Sequence, residues 1–183
     1  ASEESLPGVE KWLAMLLPNE QQAKIHADRG NRLLQENRYA DAQAEFIAAV
    51  REDPRNGPAL MYLAEIQSMG GHLQQALTFA SRAVREQSDN VRAWTLLANI
   101  YCQLGGVYMV LALDQIEMGL SIDPSSANLY YLKGNCHAQL GEKHLAKAAY
   151  DKALEINPKH PFALYDSQAL ALAAQAEQQA TES

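Results

Sequence analysis

Small and apolar residues recur along the chain at a nearly constant interval. Gly30, Ala64, Ala98 and Gly134 are separated by 34, 34 and 36 residues. Three further sets of residues recur with a similar spacing. They are Ala42, Ala76, Ala112 and Ala146; Phe46, Ala80, Ile116 and Tyr150; and Ala49, Ala83, Gly119 and Ala153. Such self-similarity indicates an array of repeated units, each of which buries its apolar face against the next.

Each repeat divides into two helical patterns. In the first repeat, one helix is predicted around Gly30 and a second around Phe46, and the segment 36–38 (Glu-Asn-Arg) makes the turn between them. The small residues allow the two helices to approach closely, and a proline after the second helix stops it. Three of the four repeats end in this way, at Pro54, Pro124 and Pro158. The pattern therefore predicts helix–turn–helix units.

The repeat length and the residues at fixed places resemble the tetratricopeptide repeat (TPR), a helix–turn–helix unit of 34 residues. The matching residues are Trp94, Leu97, Ala98 and Tyr101 in the third unit, and Tyr130, Gly134, Ala146, Tyr150, Ala153 and Pro158 in the fourth. The resemblance implies an all-α, right-handed superhelical solenoid in which the first helix of each unit lines the concave surface. We place the four units at 23–56, 57–90, 91–126 and 127–160.

The third unit departs from the pattern because it contains two extra residues before Ala112. They fall in the segment 105–110, which reads Gly-Gly-Val-Tyr-Met-Val. We expect either a longer turn or a second helix that starts at a different place. The paired glycines suit a turn that needs special backbone angles.

Both ends of the chain, 1–22 and 161–183, lie outside the repeats. Apolar residues at helical spacing predict a short amphipathic N-terminal helix that ends at Pro18, and they are Val9, Trp12, Leu13, Leu16 and Leu17. Asn19 is then the N-cap of the first repeat helix. Residues 162–180 predict an Ala/Gln-rich helix. We expect both terminal helices to cap the array. The alternative for the first is self-association into a homo-oligomer through Trp12, Leu13 and Leu16.

Helical periodicity separates a core face from a groove face on the first helix of each unit. At about 100° per residue, Trp94, Ala98 and Tyr101 share one face, while Arg92 and Asn99 share another. The residues predicted to bind a peptide in the concave groove are Lys24, Asn31, Met61, Glu65, Arg92, Asn99, Gln103, Tyr131, Asn135 and Gln139. Amide side chains recur among them, and an amide offers both a donor and an acceptor to the backbone of an extended peptide.

One binding mode of the family fits this groove poorly. The carboxylate-clamp co-chaperones of the TPR family bind an acidic C-terminus with Lys, Asn and Arg. Asn31 and Arg92 match two places of that clamp, but the others are Ala27, Tyr62 and Leu96. We therefore expect a neutral or mildly acidic peptide rather than a clamped carboxylate.

Composition narrows the remaining classes of function. The chain carries 15 Lys and Arg against 22 Asp and Glu, and its formal charge of −7 argues against nucleic-acid binding. Its longest uncharged apolar stretches, 12–17 and 107–113, are far short of the ~20 residues that span a membrane. Two cysteines are too few for a disulfide framework, which favours a reducing compartment. The location is periplasmic if Ala1 is a processed start, and cytoplasmic otherwise.

Residues with catalytic or metal-binding chemistry do not form a recognisable motif. The five histidines are scattered without HExxH spacing, and neither GxSxG nor a phosphate-binding glycine motif occurs. Cys102 lies on the predicted groove face, where we interpret it as a small filler rather than a reactive thiol. We expect no enzyme activity, no metal and no cofactor.

These patterns favour a non-catalytic adaptor that holds a peptide or a C-terminal tail of a partner protein. Three alternatives stay open. In the first, the chain is the recognition segment of a longer enzyme or membrane assembly, such as a glycosyltransferase. In the second, it is similar to the bacterial TPR accessory proteins of cytochrome c assembly, which the turn region 101–124 resembles. In the third, it is a self-assembling structural protein.

Overall fold

The computed structural model describes residues 17–181, and this range consists of α-helices joined by short turns. Its nine helices are α1 (Glu20–Gln35), α2 (Tyr39–Glu52), α3 (Gly57–Met69), α4 (Leu73–Glu86), α5 (Val91–Leu104), α6 (Tyr108–Ile122), α7 (Ala127–Gln139), α8 (Lys143–Ile156) and α9 (Pro161–Thr181). The described residues contain no strand. The predicted helix of Val9, Trp12, Leu13 and Leu16 lies outside them.

The helices pack in chain order as four pairs followed by a single closing helix. Helices α1 and α2, α3 and α4, α5 and α6, and α7 and α8 form the pairs, and each pair also packs against the next. The first helix of one pair touches the first helix of the following pair, as α3 touches α5 and α5 touches α7. This arrangement confirms the predicted all-α TPR solenoid.

Close approach within each pair explains why small residues recur in the sequence. A β-carbon on Gly30 would stand 2.6 Å from Cε1 of Phe46, and one on Gly134 would stand 2.3 Å from Cε1 of Tyr150. Real β-carbons essentially never come this close to another heavy atom. The glycine of the first helix and the aromatic ring of the second therefore form one steric unit in the first and fourth pairs. In the other two pairs alanine stands in place of the glycine, and Ala80 and Ile116 stand in place of the ring.

The two extra residues of the third pair lengthen its helices and leave the turn at three residues, 105–107. Helix α5 has 14 residues where α3 and α7 have 13, and α6 has 15 where α4 and α8 have 14. Helix α6 thus begins four residues before Ala112, whereas α4 begins three residues before Ala76. Of the two expectations for this segment, the altered helix start is confirmed and the longer turn is wrong.

The N-termini of three first helices are capped by asparagine. The Asn19 side chain accepts a hydrogen bond from the backbone N–H of Gln22 at 3.1 Å, as predicted for this residue. Asn56 and Asn90 cap α3 and α5 in the same way, at 3.0 Å each. Each cap satisfies a backbone donor that the helix itself cannot pair. These caps fix where the first helices begin, and so the register of the surface they present.

Helix α9 packs against α8, the second helix of the last pair. His160 caps it by accepting a hydrogen bond from the backbone N–H of Ala163 at 3.2 Å, while its other ring nitrogen donates to Asn128 at 3.2 Å. Further along, the Ser167 hydroxyl donates to the Asp151 carboxylate at 2.8 Å. Polar contacts therefore hold α9 to both α7 and α8. Among the described residues, no helix is long and apolar enough to cross a membrane.

Candidate peptide-binding groove

An open cavity of about 560 Å³ lies between the first helices α3 and α5. Its lining residues are Glu65, Ser68, Met69, Arg92, Thr95, Leu96, Asn99 and Gln103. Four of these, Glu65, Arg92, Asn99 and Gln103, belong to the residues predicted for the concave groove. The structure therefore brings predicted residues of two neighbouring repeats to a single cavity.

An ion pair closes one end of this cavity. Arg92 donates from Nη2 to Oε1 of Glu65 at 2.7 Å, and its guanidinium lies 5.2 Å from the ring centroid of Tyr62. Burial works to lower the pKa of Arg92, but the hydrogen bond and charge of Glu65 outweigh it and raise that pKa above its ordinary value. Both side chains stay partly exposed, so the pair contributes no more than ~1 kcal/mol to stability. Its main effect is to leave this end of the groove nearly neutral.

A second polar contact closes the opposite end. Gln103 donates from Nε2 to the hydroxyl of Ser68 at 2.9 Å, which joins α5 to α3. Asn99 lies between the two contacts on the same helix, and its side chain is exposed. Among the described residues, no hydrogen-bond partner is found for the Asn99 amide. Its donor and its acceptor therefore both face the cavity unpaired.

The apolar wall of the cavity comes from residues that the sequence analysis did not select. Met69, at the C-terminal end of α3, is 74% exposed, and Leu96 lies in the floor. Met69 follows Glu65 by four residues on α3, so helical spacing places it near the groove face, although it directly precedes the Gly70-Gly71 turn. This spacing is a sequence signal that could have identified Met69 as a contact residue.

A second, smaller cavity of about 260 Å³ lies between α7, α8 and α9. The predicted groove residues Asn135 and Gln139 line it, together with Asp166 and Leu170 of α9. The Asn135 oxygen accepts a hydrogen bond from the hydroxyl of Tyr150 at 2.8 Å. Asn135 therefore differs from Asn99, because its amide oxygen already has a partner within the protein.

Tyr131, another predicted groove residue, is part of an aromatic cluster at this end. Its ring centroid lies 5.8 Å from that of Tyr150, 4.9 Å from that of His160 and 6.0 Å from that of Phe162. Burial raises the pKa of both Tyr131 and Tyr150 above the ordinary value, so both phenols stay protonated at neutral pH. The ring of Tyr131 packs α7 against the start of α9.

The remaining predicted residues lie away from the central cavity. Lys24 and Asn31 are on α1, and neither lines the cavity between α3 and α5. Met61 corrects the prediction, because its side chain is only 5% exposed. It is buried in the core shared by α3, α4 and α5, and the Asn90 amide lies 3.9 Å from its sulfur. Helical spacing placed Met61 on the groove face, but α5 and Asn90 cover it.

The polar groups of the central cavity together carry no net charge. They are one ion pair, two hydroxyls and two amides. Such groups can bind a polar chain by hydrogen bonds. Over residues 17–181, no group of three His, Cys, Asp or Glu side chains is arranged to hold a metal ion.

Comparisons with known proteins agree with this architecture. Models of the tetratricopeptide repeat match residues 33–100 and 127–160. The thermophilic TPR protein TTC0263 of Thermus thermophilus superposes with a TM-score of 0.68 at 24% identity, over 83% of this chain and 82% of that one. YrrB, a TPR protein with an unusual peptide-binding site, superposes with a TM-score of 0.71 at 19% identity, over 90% and 84% of the two chains.

A curated human protein is also similar in sequence. The chain is 25% identical over 156 residues to protein O-mannosyl-transferase TMTC1 of Homo sapiens. The match covers 81% of this chain but only 17% of the human protein. The fold supports a protein–protein interaction scaffold. On the two matching models and the shared fold, the chain belongs to the tetratricopeptide-repeat family.

Proposed function

We propose that this chain is a non-catalytic adaptor that binds an extended peptide segment of a partner protein in the groove between α3 and α5. The observation that carries the proposal is the unpaired amide of Asn99 in the centre of a cavity of about 560 Å³. An amide donor and acceptor placed in this way can pair with the backbone of an extended chain, whatever its side chains are.

The charges in the groove define the class of peptide. Because Glu65 neutralises Arg92, neither a strongly acidic nor a strongly basic segment finds an uncompensated charge there. Met69 and Leu96 offer an apolar surface next to the amide. The favoured ligand is a neutral or mildly acidic peptide with at least one apolar side chain, which would be buried against Met69.

A clamp for a C-terminal carboxylate is less well supported. Tyr62 occupies a place that a clamp would give to a polar or cationic residue, and its ring stacks on Phe46 with centroids 4.8 Å apart. Arg92 already donates to Glu65. An internal segment of the partner therefore suits the groove better than a free carboxyl terminus. The similar fold of YrrB, which has a peptide-binding site, is consistent with this proposal.

A second candidate function follows from the similarity to the human transferase. The repeats would serve as the protein-recognition segment of a longer enzyme that transfers a sugar to a protein. The supporting observation is the 25% identity over 156 residues. In that case the groove would hold the acceptor protein, and the chemistry would lie in a part of the enzyme that the 17% of its length matched here does not include.

Peptide selection followed by affinity measurement tests the first candidate. Peptides are selected on the immobilised chain from a random phage-displayed library, and the affinity of the best binder is measured by fluorescence anisotropy. We expect Asn99→Ala to weaken binding about fivefold to tenfold through the loss of hydrogen bonds to the peptide backbone. Val110→Ala is the matched control, because Val110 is 58% exposed on α6, outside the cavity. Equal affinity of the wild type and Asn99→Ala would place the binding surface elsewhere.

A further inference from the structure

The two cysteines of the chain meet between neighbouring repeats. Cys102 lies on α5 and Cys136 on α7, and their sulfur atoms are 3.2 Å apart. Both are free thiols. A disulfide bond holds its sulfurs about 2.05 Å apart, so a relative movement of little more than ~1 Å would bring this pair to bonding distance.

Burial gives the two thiols different roles. Cys136 is fully buried within an apolar cluster that includes Met109, Ile116 and Leu129. Cys102 is only partly buried at the edge of that cluster. A small oxidant can therefore reach the pair through Cys102, while Cys136 stays shielded from solvent.

We propose that Cys102 and Cys136 form a redox modification site, at which a hydroperoxide converts the two thiols into a reversible disulfide between α5 and α7. Hydrogen peroxide first oxidises the Cys102 thiol to a sulfenic acid, which breaks the O–O bond and releases one water. The Cys136 sulfur then attacks the Cys102 sulfur. The S–S bond forms, the S–O bond breaks, and the hydroxyl leaves as a second water with the proton of Cys136.

The contact between the thiols affects the reduced pair, before oxidation. The hydrogen bond to Cys136, together with burial, raises the pKa of the Cys102 thiol, while the same hydrogen bond lowers the pKa of Cys136 against the opposing effect of its burial. Access rather than thiolate content therefore makes Cys102 the first thiol to be oxidised, and the short distance between the sulfur atoms favours the second step. Two thiols together lose two protons and two electrons, and a dithiol reductant reverses the change.

The disulfide would join the first helices of two successive pairs, and these helices line the concave side. Closing the 34-residue separation between Cys102 and Cys136 restricts the unfolded chain and fixes the contact between α5 and α7. The oxidised form should therefore unfold at a higher temperature than the reduced form. The inference does not depend on peptide binding, and it holds whichever surface receives a partner.

The test treats the reduced, purified chain with hydrogen peroxide at low protein concentration. We expect the two free thiols to disappear together, the intact mass to fall by the mass of two hydrogen atoms, and the non-reducing peptide map to show the fragments of Cys102 and Cys136 linked. The melting temperature should rise by about 5–10 °C and return after treatment with dithiothreitol. This comparison uses one sequence in two states, so it needs no variant to fold.

Two variants control the assignment. Cys136→Ala should leave Cys102 to accumulate as a sulfenic acid that a dimedone probe labels, with no rise in melting temperature. Cys102→Ala should leave the buried Cys136 thiol unmodified by the same treatment. Three outcomes would overturn the proposal: a disulfide-linked dimer of the wild type, sulfinic acid at Cys102 without a disulfide, or two thiols that persist under peroxide.

Discussion

The ring of Tyr150 occupies the space in which a side chain on Gly134 would begin, with only 2.3 Å between Cε1 of Tyr150 and the position of a β-carbon on Gly134. Gly30 and Phe46 repeat this relationship in the first helix pair at 2.6 Å. The packing of the first and fourth pairs thus depends on a missing side chain in the first helix and a large one in the second.

Adding a side chain at Gly134 should destabilise the protein. Gly134→Ala forces the Tyr150 ring to move, and Gly134→Leu forces a larger rearrangement, so we expect losses of roughly 1–3 kcal/mol in the free energy of unfolding. Urea denaturation followed by circular dichroism measures the change. Gly134→Ala should cost less in a Tyr150→Leu background than in the wild type, because the smaller side chain vacates the space. An unchanged midpoint for Gly134→Leu would show that the two helices do not approach as described.

The two asparagines at corresponding places of α5 and α7 should respond differently to truncation. Asn99→Ala removes an exposed amide without a partner and should leave the melting temperature nearly unchanged. Asn135→Ala deprives the Tyr150 hydroxyl of its acceptor at 2.8 Å and should cost about 1 kcal/mol. Thermal denaturation of the two variants side by side is the measurement. Similar losses for both would mean that Asn99 is also held by the fold.

The turn of the third helix pair makes a contrasting prediction for two adjacent glycines. Gly105 has φ 69° and ψ −172°, a region essentially restricted to glycine, so Gly105→Asn should cost about 1–3 kcal/mol. Gly106 has φ 55°, a value at which asparagine is tolerated, so Gly106→Asn should cost clearly less. Equilibrium denaturation of both variants gives the comparison. An equal cost at the two positions would contradict the described turn.

The docking of α9 should weaken in acid. Lys147 and Ser167 donate hydrogen bonds to Asp151 and hold the pKa of its carboxyl below the ordinary value. Because the pKa of Asp151 is lower in the folded state than the value of about 4 in the unfolded state, the ionised carboxylate stabilises the folded protein at any pH above about 4. This stabilisation is lost as the pH falls through the lower, folded-state pKa. Because Asp151 is largely exposed, we expect less than ~0.5 kcal/mol. The free energy of unfolding of the wild type should exceed that of Asp151→Asn at pH 7, and the difference should vanish near pH 2. A difference that grows in acid would reverse the assigned sign.

The sequence predicts the fold well because the repeat period reflects close contacts between the two helices of a pair. Gly30 must face Phe46 and Gly134 must face Tyr150, so residue size reveals the first and fourth helix pairs, and the repeat spacing extends the assignment to the other two. Met61 was misplaced because periodicity gives the direction in which a side chain leaves its helix. It does not show that Asn90 and the next helix cover that side chain.

Contacts between repeats could not be predicted from the sequence either, because the repeat period does not show how neighbouring repeats pack on each other. Cys102 and Cys136 occupy different places within their repeats, so they are not equivalent positions when the repeats are aligned. Their approach to 3.2 Å depends on how α5 and α7 are inclined to each other, and the period does not record that inclination. The cavity between α3 and α5 likewise needed the structure, although four of its lining residues were predicted individually.

Site-specific photo-crosslinking tests peptide binding between α3 and α5 most directly. p-Benzoylphenylalanine replaces Met69, an exposed apolar residue of the cavity lining, in one version of the chain and Val110 in another. Each version is irradiated in a lysate of the source organism before crosslinked proteins are identified by mass spectrometry. We predict that a defined partner segment crosslinks at position 69 and not at position 110, and that an excess of the selected peptide suppresses the product. Crosslinking at position 110 alone, or equally at both positions without competition by the peptide, would contradict binding in this groove.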